Sequence, residues 1–469
     1  MAPLLSHKPT LWWLRFVSLG IGASIFVGCA SGGTPGKSTT SGSAGAPVTS
    51  GAAGADPAGT GVAGAGESGA AGAGDVGGAG TSGVAGAGNV GGAGTSGGAG
   101  TSGGAGASGA AGATGAAGAS GVAGATGAAG ATGAAGASAS SKLVFGPYKD
   151  TSINMNWNTN TISTKVGGDM TTFAADMSAS GKGTVTLAFA TGECGTENWG
   201  GVKGEDLASV NVPLFMQAGI PYMVSTGGAA GSFTCGTDAG FSTFIDRWSS
   251  PNLVGVDFDI EAGQSTAVIG ALIARVKAAH VKYPKLRFSL TLATLATSTA
   301  GQTTAMSLGA NAQDSFNSFG DDTMAAVKSV LAFTGSPATW PSYVTVNLMT
   351  MDYGTAGPAI CVVANGACDM GQSAIQAAYN LRDKWGVPLS GIELTPMIGG
   401  NDAASEIFTP ADADTVAHFA MAQGMAGVHY WSYDRDIDCV QSYSSPTCNS
   451  IGGVGAHGYL KRFIAAGLK

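Results

Sequence analysis

From residue 142 onward the sequence predicts an α/β fold, a (β/α)8 barrel, on two observations. Short apolar, β-rich runs recur eight times over about 330 residues, and amphipathic helical patterns lie between several of them. A third observation weakens the nearest alternative, a doubly wound sheet that binds a nucleotide. No GxGxxG follows the first run.

The first three runs are Leu143-Val144-Phe145, Val185 to Phe189, and Tyr222-Met223-Val224. The next three are Leu253 to Ile260, Leu286 to Leu292, and Val344 to Met349. Gly391 to Leu394 and Gly427 to Trp431 complete the set. Between them, Ser265 to Ala279 places Val268, Ile269, Leu272, Ile273 and Val276 on one helical face. Thr323 to Leu331 and Ser373 to Trp385 read the same way.

The chain ahead of this region has a different texture. His7, Lys8 and Arg15 give a positive start, and an apolar run from Phe16 to Gly28 follows. That run is short for a membrane span and fits a signal peptide. Phe26-Val27-Gly28-Cys29 resembles a bacterial lipobox, so Cys29 is the expected lipidation site and residues 1–29 the leader. Nearly half of the 80 glycines fall in residues 30–140, where Gly-Ala-Gly and Gly-Thr-Ser units repeat. Such a stretch has too little apolar surface to offset the entropy of ordering. Gly often falls at every third position, but proline is too scarce for collagen. A flexible tether is expected, with an end-to-end distance of roughly 55–65 Å. A folded domain is then expected over residues 142–469.

Charge and cysteine content narrow the function classes. Only 11% of residues are charged and the formal net charge is -8, which leaves no electrostatic footprint for nucleic acid. Of the 7 cysteines, Cys29 belongs to the leader, and an even set remains. In an exported domain this suggests disulfides. Cys361-Cys368 and Cys439-Cys448 would each close a short loop, which leaves Cys194-Cys235. No pair has zinc-site CxxC spacing, so no structural metal is expected.

The segment most informative about chemistry is Leu253-Val-Gly-Val-Asp257-Phe-Asp259-Ile-Glu261. Alternate strand residues share a face, so Asp257, Asp259 and Glu261 line up opposite Val256, Phe258 and Ile260. A buried row of carboxylates is costly unless it is hydrogen-bonded or partly protonated. Mutual repulsion raises at least one pKa, which is how a carboxyl group stays protonated long enough to serve as a general acid. A metal site also gathers carboxylates, but usually on a turn rather than along an apolar strand.

This segment resembles the glycoside hydrolase family 18 signature, Asp-Gly-x-Asp-x-Asp-x-Glu. Gly255, Asp257, Asp259 and Glu261 match; Val254 stands where the signature has its first Asp. Ser225-Thr226-Gly227-Gly228 is similar to the family's Ser-x-Gly-Gly motif at the third strand. Met349-Thr350-Met351-Asp352-Tyr353-Gly354 resembles its Met-x-Tyr-Asp motif at the sixth. Thr395 to Asp402 looks like the seventh-strand end of bacterial chitinases, and Trp431 stands where the family has a substrate-floor tryptophan. Met351 replaces the family Tyr, and Tyr353 shares its strand parity.

The resemblance implies a retaining, substrate-assisted hydrolysis of β-1,4 linkages between N-acetylglucosamine units. Glu261 would be the acid, Asp259 would orient the sugar's acetamido group, and Asp257 would back Asp259. Ser225, Gly228, Met349, Asp352, Tyr353 and Trp431 would bind substrate. No cofactor or metal is needed. The implied partner is chitin or an N-acetylglucosamine-containing oligosaccharide, with membrane contact only through the lipid on Cys29. A monomer, exported and lipid-anchored at the cell surface or outer membrane, or secreted, is expected. The alternatives are a non-catalytic glycan-binding protein on the same barrel and an endo-β-N-acetylglucosaminidase acting on glycoproteins. Trp199, Tyr148 and Trp157 either extend a sugar cleft or pack. His280, His418, His429 and His457 lack ligand spacing and are read as structural.

Overall fold

The computed structural model describes residues 143–181, 183–261, 263–302 and 312–469. The expected leader ending at Cys29 and the expected Gly-rich tether lie outside the described residues. Eight strands form a closed barrel: β1 (Val144–Asp150), β2 (Val185–Ala190), β3 (Tyr222–Gly227), β4 (Leu253–Ile260), β5 (Arg287–Ala293), β6 (Val344–Met349), β7 (Ile392–Thr395) and β8 (Gly427–Tyr430). Every neighbouring pair is parallel, and β8 closes onto β1 through Val144 opposite Gly427. Each predicted run contributes one barrel strand.

The helices are α1 (Phe173–Ser180), α2 (Gly204–Ala218), α3 (Asp238–Trp248), α4 (Thr266–Lys282), α5 (Ser318–Leu331), α6 (Met370–Trp385), α7 (Pro410–Gln423) and α8 (Gly458–Ala465). Helix α4 begins where Ser265 accepts a hydrogen bond from Val268 N, and it buries Ile269, Leu272, Ile273 and Val276. Helix α7 opens on a capping box between Thr409 and Asp412, with Pro410 in its first turn, and ends at Gly424 in a left-handed conformation. Helix α2 carries Pro213 inside it, a residue that reads as a helix stop in sequence. Burial of Leu207, Ala208, Val212 and Phe215 overrides that local preference.

Along β4, Phe258 faces outward and packs against the rings of Phe233 and Phe241 in the layer between sheet and helices. The inward face is polar. Ser225, Asp257, Thr291, Asn347, Glu393 and His429 are all buried there. The six remaining cysteines form Cys194–Cys235, Cys361–Cys368 and Cys439–Cys448. All three bonds lie in loops that follow strand C-termini, the rim where a barrel carries its chemistry. Cross-linking stiffens long connections that have little sheet structure of their own.

Candidate active site

Asp257 sits in the barrel interior with its carboxylate fully engaged. Its Oδ2 accepts from Ser225 Oγ on β3 at 2.6 Å and from Tyr148 Oη on β1 at 3.0 Å. Its Oδ1 accepts from Thr291 Oγ1 on β5 at 2.6 Å. Asn347 on β6 continues the network, donating from Nδ2 to Tyr148 Oη and to Thr291 Oγ1, both at 2.9 Å. Thr395 on β7 in turn donates to Asn347 Oδ1 at 2.7 Å. Five strands thus converge behind one carboxylate. Burial still raises the Asp257 pKa, against the pull of Ser225, Thr291 and Tyr148. Burial, and next the charge of Asp257, pushes the Tyr148 phenol well up, which keeps it a donor.

Asp259, one side-chain repeat further along β4, is 4% exposed. Its Oδ1 is buried without a partner among the described residues. It hydrogen-bonds Glu261, and burial followed by the charges of Glu261 and Asp257 raises its pKa well above the ordinary range. Glu261, just past the strand end, is partly buried, and its pKa is raised first by burial. The hydrogen bond from Asp259, then one from the Ala229 amide, oppose that rise, and the charge of Asp352 adds to it. Burial and mutual repulsion thus favour retention of a proton by this pair of adjacent carboxyl groups near the mouth of the barrel.

The two glycines of Ser225-Thr226-Gly227-Gly228 have a steric explanation. Gly227, at φ 89°, lies so close to β4 that an added Cβ would stand 2.1 Å from Asp259 O. Gly228, at φ 82°, faces the Phe189 ring, where a Cβ would come within 2.9 Å. Both close approaches and both backbone conformations require glycine. The turn then delivers the Ala229 amide to Glu261.

Trp431 follows β8 and is partly exposed. It stacks on Phe189 with ring centroids 5.7 Å apart and lies 6.1 Å from Tyr148. Together the three rings form an aromatic wall beside Asp257. Asp352, past the end of β6, adopts φ 51°. Its Oδ1 accepts from the amides of Asp402 at 2.7 Å and Ala403 at 3.1 Å. Burial first, and then the charge of Asp402, raises its pKa to about 6. Met349 and Met351 are partly exposed.

Other expected residues sit elsewhere. The Tyr353 ring is 2% exposed and belongs to the hydrophobic core, and its backbone amide donates to Glu406. Trp199 is fully buried against Trp248, 5.0 Å between ring centroids, so it packs. Tyr148 is part of the carboxylate network, whereas Trp157 is exposed on the loop after β1. His429 lies 3.4 Å from Glu393, one layer deeper in the barrel. There Arg287 and Ser289 also bond Glu393; burial alone would raise its pKa, but Arg287, then His429, outweigh it and hold it at about 2. A cavity of about 740 Å³ opens at the opposite end of the barrel, lined by Val144, Thr184, Pro221, Val254 and Tyr343. It is remote from the carboxylate row.

Phe189, Thr291, Asn347, Asn401 and Glu406 were not singled out from sequence. Thr291 and Asn347 had a visible signal, since Ser289-x-Thr291 and Thr345-x-Asn347 place polar residues at alternate positions of apolar strands. Asn401 lay within the Thr395–Asp402 segment already noted, whereas Phe189 and Glu406 had no signal, because only the folded loops bring them to the site.

No family model matches the chain. It is similar to a probable bifunctional chitinase/lysozyme of Escherichia coli (strain K12), 36% identical over 107 residues, which are 20% of this chain and 11% of that protein. The chain thus spans about a tenth of that relative's length. Among solved structures it is similar to the catalytic domain of a hyperthermophilic chitinase from Pyrococcus furiosus, at 22% identity and TM-score 0.48, over 70% of this chain and 97% of that one. A family GH18 chitinase catalytic domain from the fern Peteris ryukyuensis matches at 15% identity and TM-score 0.39, over 69% and 98% of the two chains. A putative chitinase A from Streptomyces coelicolor matches at 17% identity and TM-score 0.36, over 62% and 92%.

Proposed function

We propose that the barrel is a retaining glycoside hydrolase of family 18 type that cleaves β-1,4 bonds between N-acetylglucosamine units. The observation that carries this reading is the row Asp257, Asp259, Glu261 at the strand ends, with Asp259 Oδ1 buried and unpartnered among the described residues. Asp257 and Asp259 lie on the same wall as Glu261, so neither is suited to attack the opposite face of a sugar. Ordinary retaining enzymes need a second carboxylate about 5–5.5 Å away, across the ring.

In the proposed reaction the protonated Glu261 gives its proton to the glycosidic oxygen as the C1–O bond breaks. The acetamido oxygen of the same sugar forms a bond to C1, which gives a cyclic oxazolinium ion. Asp259 accepts the acetamido N–H and offsets the developing positive charge, and Asp257 with its three donors holds Asp259 in line. Glu261, now a carboxylate, takes a proton from water as that water attacks C1 and reopens the ring with retention. Intramolecular attack gains from a high effective molarity. Trp431 and Phe189, partly exposed and backed by the buried Tyr148 ring, offer an apolar surface to the pyranose face. Asp352 helps fix the acetamido group.

The deciding experiment compares aryl glycosides of chitobiose and cellobiose with the full chain, alongside a high-mannose glycopeptide. Cleavage confined to the chitobiose compound, inhibited by a thiazoline analogue of the cyclic ion, is expected. Comparable cleavage of the cellobiose compound, or a sugar trapped covalently on an Asp or Glu, would overturn the mechanism. Preferred release of the glycan from the glycopeptide would move the substrate class to glycoproteins. We place the protein outside the cytoplasm, lipid-anchored through Cys29 and monomeric; the three disulfides support an oxidising compartment.

A further inference from the structure

We infer that Glu406 is the positioning residue that presents Asp352 to the cleft, an assignment that rests on the chitinase reading above. Glu406 is 1% exposed and lies in a short hairpin beyond β7, formed by Gly399–Gly400 and Ile407–Phe408. It takes no part in bond cleavage. Both of its carboxylate oxygens are occupied by consecutive amides of the loop after β6. Oε2 accepts from Tyr353 N at 3.0 Å and Oε1 from Gly354 N at 2.7 Å.

The need for such a residue follows from the sheet. The last backbone bond of this segment to β7 runs from Thr350 N to Thr395 O, 3.0 Å. Beyond it the chain turns away, and Asp352 adopts φ 51°, a left-handed conformation that disfavours a non-glycine residue. The amides of residues 352, 353 and 354 lose their sheet partners there, and buried amides must be satisfied. The hairpin supplies all three acceptors: Asn401 Oδ1 takes Asp352 N at 3.3 Å, and Glu406 takes the other two.

The grip is reciprocal. Asp352 Oδ1 accepts from the amides of Asp402 and Ala403, inside the same hairpin. The hairpin is braced internally by Asn401 N to Glu406 O at 3.0 Å and Glu406 N to Ala403 O at 2.8 Å. Its base is held by Arg435, which donates to Ile398 O at 3.0 Å and to Gly400 O. Only a side chain with two acceptor oxygens on one carbon can bridge adjacent amides in this way. Glutamine offers one acceptor and turns an N–H₂ donor toward the second amide. Aspartate keeps both oxygens but is one methylene too short.

The test has two arms. Hydrogen exchange by mass spectrometry on the full chain reads the grip directly. Glu406→Gln is expected to speed exchange in the segment containing Tyr353 and Gly354 by about tenfold or more, with the barrel strands unchanged. Unchanged exchange there overturns the inference whatever the substrate is. Kinetics on an aryl chitobioside read its consequence. Glu406→Gln should lower kcat by on the order of 10²-fold, the scale of an ångström of misplacement, with a smaller change in KM. Glu406→Gln combined with Asp352→Asn should be no slower than Asp352→Asn alone, because Glu406 acts through Asp352. Multiplicative losses, or a Glu406→Gln kcat within twofold of wild type, overturn it. Should Glu406→Gln not fold by circular dichroism, Glu406→Asp gives the same readouts with its charge retained. A wild-type chain inactive on the chitobioside sinks the chitinase reading instead, and the exchange arm then decides on the grip alone.

Discussion

Replacing Glu261 by Gln should separate catalysis from stability, because the burial and, after it, the Asp352 charge that raise the Glu261 pKa and suit it to the proposed acid role also make its ionised form costly in the folded state. The substitution keeps the shape and removes the proton. Loss of one general acid–base group costs at least roughly 10²–10⁴ in rate, or about 2.7–5.5 kcal/mol of barrier. The stability effect has the opposite sign. Burial and the charge of Asp352 raise the Glu261 pKa, and Asp259 hydrogen-bonds directly to it. A group whose folded pKa is raised contributes stability that is full below its unfolded value, about 4.3, and is lost as pH rises through the folded value. Gln has no proton to lose, and its neutrality also lets Asp259 ionise at less cost. The variant should match wild type in denaturant unfolding at pH 4 and be more stable at pH 8. Two unit charges taken as about 4 Å apart repel by about 1 to 4 kcal/mol, from water-like to protein-surface screening, which sets the scale of the gain. Turnover within tenfold of wild type, or a variant less stable than wild type at pH 8, would refute the reasoning.

Three other outcomes are expected. Asp352→Asn removes a charge that raises the Glu261 pKa, so the alkaline limb of kcat/KM should move to lower pH; a move to higher pH would contradict the assigned coupling. Ser225→Ala deletes the 2.6 Å hydrogen bond to buried Asp257, and should cost about 1.5–3 kcal/mol in denaturant unfolding near neutral pH. Because that bond favours the ionised form of Asp257, the loss should shrink as pH falls through the Asp257 pKa; a pH-independent loss would show that Asp257 is not its main beneficiary. Cys29→Ser should abolish incorporation of a fatty-acid label into the full chain, and a label retained on the variant would remove Cys29 as the lipid site.

The sequence by itself determined the barrel and the central carboxylates of this protein. All eight runs became barrel strands because parallel strands covered by helices must be apolar, and that pattern is local. Asp257, Asp259 and Glu261 were legible for the same reason, since a period of two puts them on one face whatever surrounds them. The cysteine pairs followed from spacing in the short loops and by elimination for Cys194 and Cys235. Helix α2 carries Pro213 in its interior, where burial of one face outweighs a local stop signal. Only the tertiary structure decided how the carboxylates are held. Tyr148, Ser225 and Thr291 reach Asp257 from three other strands, Asn347 backs two of them from a fourth, and their distance in sequence says nothing of that convergence. Tyr353 shows the same limit from the other side. Strand parity aligns it with Met351, but beyond Thr350 the strand ends, Asp352 turns left-handed, and Tyr353 goes into the core. Parity holds only while a strand continues, and here the chain leaves the sheet where Glu406 takes over its amides.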